Sequence, residues 1–236
     1  MTRLDQYLVE NNLVDSRNKA QQLIKDSKVT VNKKVITKAS FKVSGESVEL
    51  DDEHVYVSRA AYKLKNFLPL LPFSVAGMNT LDIGSSTGGF TEVLLLNDVK
   101  TVTSVDVGSS QLHERLRSDP RVISVENQDI RSFTSDTSYE LITCDVSFIS
   151  LHNILDAING LASKYMILLF KPQFEVGKDI KRDKNGVVMD KKAISAAMLK
   201  FEDTCTLLGW KKVLMEASSI TGKEGNIEYC YCYEKC

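Results

Sequence analysis

The chain has 236 residues, 43% of them hydrophobic and 26% charged, with a formal net charge of −1. That balance excludes a disordered or collagen-like chain and leaves room for one large domain and one small one. No apolar stretch approaches the length a bilayer demands and no targeting segment opens the chain. The five cysteines show no metal-ligand spacing, so neither membrane insertion nor a bound metal is expected and the chain reads as cytoplasmic.

Charge is unevenly spread: residues 1–44 carry nine basic and four acidic side chains, and the remainder is net acidic. This is the pattern of a basic module joined to a body that does not itself attract polyanions. In chain order, Leu4, Leu8 and Leu13 mark a first helix. Ser16 then caps a second, which runs through Lys25 with apolar residues at helical spacing. Val29-Thr30-Val31 and Lys34-Val35-Ile36 flank a tight turn at Asn32-Lys33, and residues 41–43 and 47–50 add extended chain. Asp51-Asp52-Glu53 reads as an acidic linker, dividing the chain into residues 1–54 and 55–236.

Three stretches, Arg3-Leu4-Asp5-x-Tyr7-Leu8, Ser16-Arg17-x-x-Ala20-x-x-Leu23-Ile24 and Val29-x-Val31-Asn32, resemble the alpha-L RNA-binding motif, first known in a ribosomal protein. Ser27 and Lys33 stand where that family usually has glycine. The resemblance implies a small α+β domain that grips folded RNA mainly through phosphates, with Arg3, Arg17, Lys19 and Lys28 as contact candidates.

Residues 80–90 read Thr-Leu-Asp-Ile-Gly-Ser-Ser-Thr-Gly-Gly-Phe: a strand carrying Asp82, a glycine-rich turn, and a helix from Phe90 to Leu96. Asp82, Gly84, Ser85, Gly88, Gly89 and Phe90 are therefore candidates for holding a nucleotide-like cofactor at a helix N-terminus. The turn lacks both the G-x-G-x-x-G spacing and the Gly-Lys-Ser/Thr ending, which disfavours NAD and ATP. The next strand, 101–105, ends at Asp106, and a third, 122–125, leads to Asp129. An acid after each of three successive strands lies where ligands bind in doubly wound sheets. An adenosine group without a diphosphate fits best, hence S-adenosylmethionine. Asp129 serves either at the adenine edge or as a helix cap.

Further on, residues 139–144 form a strand ending at Asp145, and residues 164–170 form another followed by Lys171 and Pro172. Residues 211–216 and 228–233 supply two more. The expected architecture is α/β, with a Rossmann-like, seven-stranded, mostly parallel sheet and one reversed edge. Lys171 closes a buried apolar strand and cannot easily reach solvent, so its ammonium is paired or functional, with Asp145 as the natural partner.

Lys63, on a helix before the first strand, Asp145, Lys171 and Glu228 follow one another in an order similar to the tetrad of FtsJ-type ribose 2'-O-methyltransferases. With the alpha-L motif ahead of it, the whole chain resembles the TlyA family, sometimes labelled hemolysins. The matching stretches are residues 57–64, 82–92, 105–108, 144–151, 170–175 and 222–228. The departures are Ser109-Ser110, where Tyr-Gly is usual, and Ser219, where proline is usual. The resemblance implies a class I methyltransferase that modifies the 2'-oxygen of cytidine in ribosomal RNA, with ribosomal RNA or a ribosomal subunit as partner. Asp145 and Glu228 would orient the lysines, and Lys171 would act as a neutral base or as a steering cation.

Other chemistries lack their residues. Amino-group methylation needs a proline after the fourth strand's acid, where this chain has Asp145-Val146-Ser147-Phe148, and Cys144 faces away from Asp145 by strand alternation. A non-catalytic assembly factor predicts a degraded tetrad, and a hemolysin predicts an insertion segment; the sequence has neither.

Overall fold

The computed structural model describes residues 2–26, 28–32, 34–50 and 56–236. They fall into two units, Met1–Val55 and Tyr56–Cys236. Ser27, Lys33 and the acidic run Asp51-Asp52-Glu53 lie outside the described residues.

In the first unit, β1 (Thr2–Arg3) leads into α1 (Leu4–Glu10), followed by α2 (Arg17–Lys25), β2 (Val29–Val31), β3 (Lys34–Val35), β4 (Lys42–Val43) and β5 (Val48–Leu50). The Ser16 hydroxyl accepts the Lys19 backbone N–H at 3.3 Å and starts α2 as expected. Leu13 lies past the end of α1. Asn12 adopts a left-handed φ of 54°, and the buried place goes to Val14 instead. Strands β3, β2 and β5 form one small sheet, β1 and β4 another. Leu4, Leu8, Ala20, Ile24, Val29 and Val43 pack between helices and strands.

The polar centre of this unit is Asp5, whose carboxylate is fully buried. It accepts from Arg3 Nε at 2.9 Å, Arg17 Nε at 3.1 Å and Gln21 Nε2 at 2.8 Å. The Arg3 hydrogen bond, helped by Gln21 and Arg17, outweighs burial and holds Asp5 well below the ordinary carboxylate range. A depressed folded-state pKa gives stability that is complete above the unfolded pKa and is lost as pH falls further. Asp5→Ala should therefore destabilise the first unit by about 2 kcal/mol. It should also flatten the unit's stability loss below about pH 4 in thermal melts of the full chain. An unchanged acid limb would deny Asp5 this role.

The second unit contains α3 (Ala61–Phe67), β6 (Asn79–Ile83), α4 (Gly89–Leu96), β7 (Thr101–Val105), α5 (Glu114–Arg117), β8 (Val122–Val125) and β9 (Tyr139–Cys144). It continues with α6 (Leu155–Leu161), β10 (Ala162–Phe170), α7 (Pro172–Glu175), α8 (Lys191–Leu207), β11 (Trp210–Ala217) and β12 (Tyr229–Lys235). These seven strands make one sheet in the order β11-β12-β10-β9-β6-β7-β8. Neighbours from β10 to β8 run parallel, whereas β12 is antiparallel to both β10 and β11. The reversed strand is thus the one inside the edge, rather than the edge strand that the sequence order suggested.

Alternation along each strand sends side chains to two cores. Met166, Leu168 and Phe170 of β10 face α6 and α8, meeting Leu155, Ile158, Phe201 and Cys205. Tyr165, Ile167 and Leu169 face the opposite layer, with Leu64 and Phe67 of α3 and Phe90 and Leu94 of α4. Cys230 and Cys232 sit in that second core as small buried hydrophobes. Helices on both faces make this a three-layer α/β unit. Among the described residues, no helix is long and apolar enough to cross a membrane, and no His, Cys, Asp and Glu side chains group as a metal site.

Candidate active site

The parallel strands all finish on one rim of the sheet. The chain reverses its build direction between β6 and β9, so a crevice opens outside their carboxyl ends. Gly84 follows β6, Asp145 follows β9 and Lys171 follows β10. Because β12 runs the other way, its start reaches the same rim: Phe170 pairs with Tyr229, which sets Glu228 beside the segment that carries Lys171. Lys63 arrives from α3.

The four side chains predicted as a tetrad are brought together. Lys171 Nζ lies 2.5 Å from Asp145 Oδ1, and Lys63 Nζ lies 3.5 Å from Asp145 Oδ2 and 2.7 Å from Glu228 Oε2. Lys63, Lys171 and Glu228 are all nearly inaccessible to solvent. Burial disfavours the Lys63 ammonium, but the charges of Asp145 and Glu228 outweigh it, and its pKa ends above the usual lysine value. Lys63 is therefore a fixed cation. Two further side chains complete the cluster: Lys171 Nζ donates to Ser147 Oγ at 2.9 Å, and Gln173 Nε2 donates to Glu228 Oε1 at 3.3 Å.

Beside the tetrad lies a cavity of about 850 Å³ walled by Ser58, Gly84, Ser85, Gly89 and Phe90 on one side and by Lys63, Asp145, Lys171 and Glu228 on the other. A second cavity of about 410 Å³ shares Gly84, Ser86, Asp145, Ser147 and Phe148 with it. Val105, Val107 and Ile130 line its apolar walls, and Asp106 and Asp129 stand at its edge. Gly84 borders both with φ +76°, and a Cβ there would sit 2.8 Å from the Asp145 carbonyl oxygen. Only glycine permits that approach. Gly88 does not line either cavity; it caps α4 in a left-handed conformation and abuts Leu112 and Leu116. Phe148, also left-handed at φ 66° and almost fully exposed, stands at the mouth with its ring 5.5 Å from that of Phe174.

The three strand-end acids have different fates. Asp106 accepts the Ser86 and Gly108 backbone N–H groups at 2.8 and 2.7 Å, holding the loops around the second cavity. Asp129 caps the short turn that follows it and pairs with Arg131 at 2.5 Å, which holds its carboxyl down at about 2. It also borders the second cavity.

Asp82 departs from expectation. It is fully buried inside β6 and lines neither cavity. Its oxygens accept the hydroxyls of Thr91 on α4 at 2.7 Å and Thr143 on β9 at 2.8 Å, tying the glycine turn's helix to its two strands. Leu81 and Ile83 face the α6/α8 core, so alternation turns Asp82 toward α4 instead of the crevice.

Burial pushes the Asp82 carboxyl up to about 6 despite those hydrogen bonds. A raised carboxyl pKa means that the folded protein retains a proton the unfolded chain has lost. Stability should then fall by on the order of 2 kcal/mol as pH rises from about 4 to 6 and level off above that. Asp82→Asn should abolish that slope in urea titrations, and a slope that persisted would place the proton elsewhere.

Sequence reasoning assigned no role to Ser147, Gln173, Arg182 or Asn226, which line or support the tetrad cavity. Gln173 and Asn226 each stand two residues from a tetrad member, and that proximity was the available signal.

The description "FtsJ-like methyltransferase" matches residues 56–235, and "S4 domain" matches residues 2–48. The chain is 49% identical to the 23S rRNA (cytidine-2'-O)-methyltransferase TlyA of Campylobacter jejuni, over 97% of this chain and 98% of that protein. The chain belongs to the TlyA family of FtsJ-like methyltransferases. Within the family it is 40% identical to the 16S/23S rRNA (cytidine-2'-O)-methyltransferase TlyA of Mycobacterium tuberculosis, over 96% of this chain and 87% of that one. A solved structure of a candidate hemolysin from Streptococcus thermophilus superposes with a TM-score of 0.75 at 33% identity, covering 99% of this chain and 88% of the other. The S4 match spans the stretches read as the alpha-L motif, and the FtsJ-like match spans the seven-stranded sheet.

Proposed function

We propose that this protein transfers a methyl group from S-adenosylmethionine to the 2'-oxygen of a cytidine in ribosomal RNA, acting in the cytoplasm on ribosomal RNA or a ribosomal subunit. The observation that carries the reading is the continuous chain of contacts Lys171–Asp145–Lys63–Glu228 at the rim beside the glycine turn. Residues 1–54 serve as the RNA-gripping domain and residues 55–236 as the catalytic one.

Several features fit S-adenosylmethionine. The second cavity has apolar walls that suit an adenine ring, and its lining includes Asp106 and Asp129, which we assign to the ribose hydroxyls and the adenine edge. The passage past Gly84 leads to Ser85, Gly89 and Phe90, where the amino-acid end would lie against the start of α4. When bound, this cofactor supplies an electrophilic methyl group and a neutral thioether leaving group.

The protein's part is to ready the ribose hydroxyl, a very weak acid. Lys171, held by Asp145 and Ser147, faces the cavity from which that hydroxyl would approach. It takes up the proton or holds the forming alkoxide. Lys63, a permanent cation locked between Asp145 and Glu228, fixes the Asp145 carboxylate and adds positive potential. In the first domain, Arg3 and Arg17 keep 41% and 55% of their side chains exposed while anchored on Asp5, so their guanidinium edges are oriented for phosphates. Lys19 and Lys28 extend the same contact.

The test is transfer of labelled methyl from S-adenosylmethionine to isolated large and small subunits from cells lacking this gene, with the product nucleoside mapped. Label on a cytidine 2'-oxygen establishes the reaction and names the subunit. Cofactor and RNA binding without label on either subunit would refute it.

A further inference from the structure

One buried side chain close to the tetrad has no part in the mechanism above. Asn226 is 4% exposed and stands two residues before Glu228. Its Oδ1 accepts the Val188 backbone N–H at 3.0 Å, and its Nδ2 donates to the Gly186 carbonyl at 3.3 Å. Both partners belong to a tight hairpin, residues 182–188, closed by the Arg182–Val188 bridge and by an Asp183 N–H to Val187 carbonyl bond of 2.9 Å. Asp183 Oδ1 stabilises the tip by accepting from Asn185 and Val187 N–H at 2.8 and 2.9 Å.

The hairpin's other end is tied to the tetrad as well. The Arg182 guanidinium donates to the carbonyls of Gln173, Gly177 and Ile180 at 3.0, 2.9 and 2.8 Å. Gln173 in turn donates to Glu228. A closed ring results, running Glu228, Gln173, Arg182, hairpin, Asn226 and back to Glu228. Glu228, Gln173, Arg182, Asn226 and the hairpin's Asn185 and Gly186 border the cavity that holds Lys171.

We propose that Asn226 is a positioning residue: by clamping the 182–188 hairpin over the catalytic cavity, it holds the Glu228 carboxylate in register with Lys63. The proposal rests on the methyl-transfer reading for its kinetic arm only. An asparagine is suited to this task because one amide offers both the acceptor that Val188 N–H needs and the donor that the Gly186 carbonyl needs.

Asn226→Ala in the full chain is compared with wild type by three measurements. Calorimetric affinity for S-adenosylmethionine should be unchanged, since Asn226 is absent from the second cavity and from the glycine turn. Tryptic nicking after Lys181, Arg182 and Lys184 should accelerate roughly 10-fold as the hairpin opens. With ribosomal subunits, kcat should fall roughly 10- to 100-fold with KM unchanged, as expected when a group outside the chemistry loses its alignment.

Unchanged nicking and unchanged kcat would overturn the proposal, and so would a higher KM with kcat intact, which would make Asn226 a substrate contact. If Asn226→Ala does not fold, Asn226→Asp keeps the Val188 bond and loses the Gly186 bond. A folded, fully active Asn226→Asp would overturn the proposal, and a folded one with reduced kcat would support it. The nicking and affinity arms need no RNA, so an inactive wild type would count against the reaction and leave the clamp testable.

Discussion

Lys171→Ala should lower methyl transfer by roughly 10²- to 10⁴-fold while leaving affinity for S-adenosylmethionine intact. The geometry supports a clean loss. Removing this ammonium leaves Asp145 with Lys63 at 3.5 Å and Glu228 with Lys63 at 2.7 Å, so neither carboxylate is stranded without a cation. Lys63→Ala is different in kind, because Glu228 is 3% exposed and would lose the ion-pair partner described for it. Leaving a buried charge uncompensated costs about 3–5 kcal/mol, so that variant should lose stability along with activity. Comparing melting temperatures and turnover of the two variants separates chemistry from support. If Lys171→Ala also loses cofactor affinity, Lys171 is part of a structural ion pair and the proposed role fails.

Gly84→Val should abolish cofactor binding, measured by calorimetry at constant pH. The position has φ +76°, which β-branched residues avoid, and its Cβ would press at 2.8 Å on the carbonyl oxygen of Asp145. The backbone strain alone is about 1–2 kcal/mol. Relief requires the turn after β6 or the Asp145 backbone to move, and these two border both cavities. Binding that survived the substitution in a folded variant would remove the glycine turn from the cofactor site.

Much of the site was legible because it lies on a rim. Strand ends marked by acids and a glycine turn announce themselves in sequence, as at Asp106, Asp145 and Gly84. Lys171 was conspicuous as a lysine closing an apolar strand. What escaped notice depends on direction and on distant pairing. Asp82 sits in the motif that looks most like a cofactor loop, yet the alternation of β6 turns it to Thr91 and Thr143. Arg3 and Arg17 read as independent phosphate contacts, whereas both are organised by one buried aspartate 12 residues from Arg17. The place of β12 inside the edge follows from pairing across the long segment from Phe170 to Tyr229, which no local pattern encodes. Asn226 acts on a backbone 38 residues away, and an isolated asparagine carries no periodic signature.

The reversed strand also ties function to registry. Side chains alternate along β12, so sliding it by one residue against β10 would turn every one of its side chains to the opposite face. The carboxylate of Glu228 would be carried out of the crevice while the strand kept its full ladder of backbone hydrogen bonds. A slipped form of this kind would retain the circular dichroism of the native sheet while moving Cys230 and Cys232 into the α6/α8 core in place of Tyr231 and Tyr233. Trp210, whose ring lies 5.9 Å from that of Tyr233 in the native register, would lose that neighbour, so its fluorescence would report a misaligned population that ordinary folding probes count as intact.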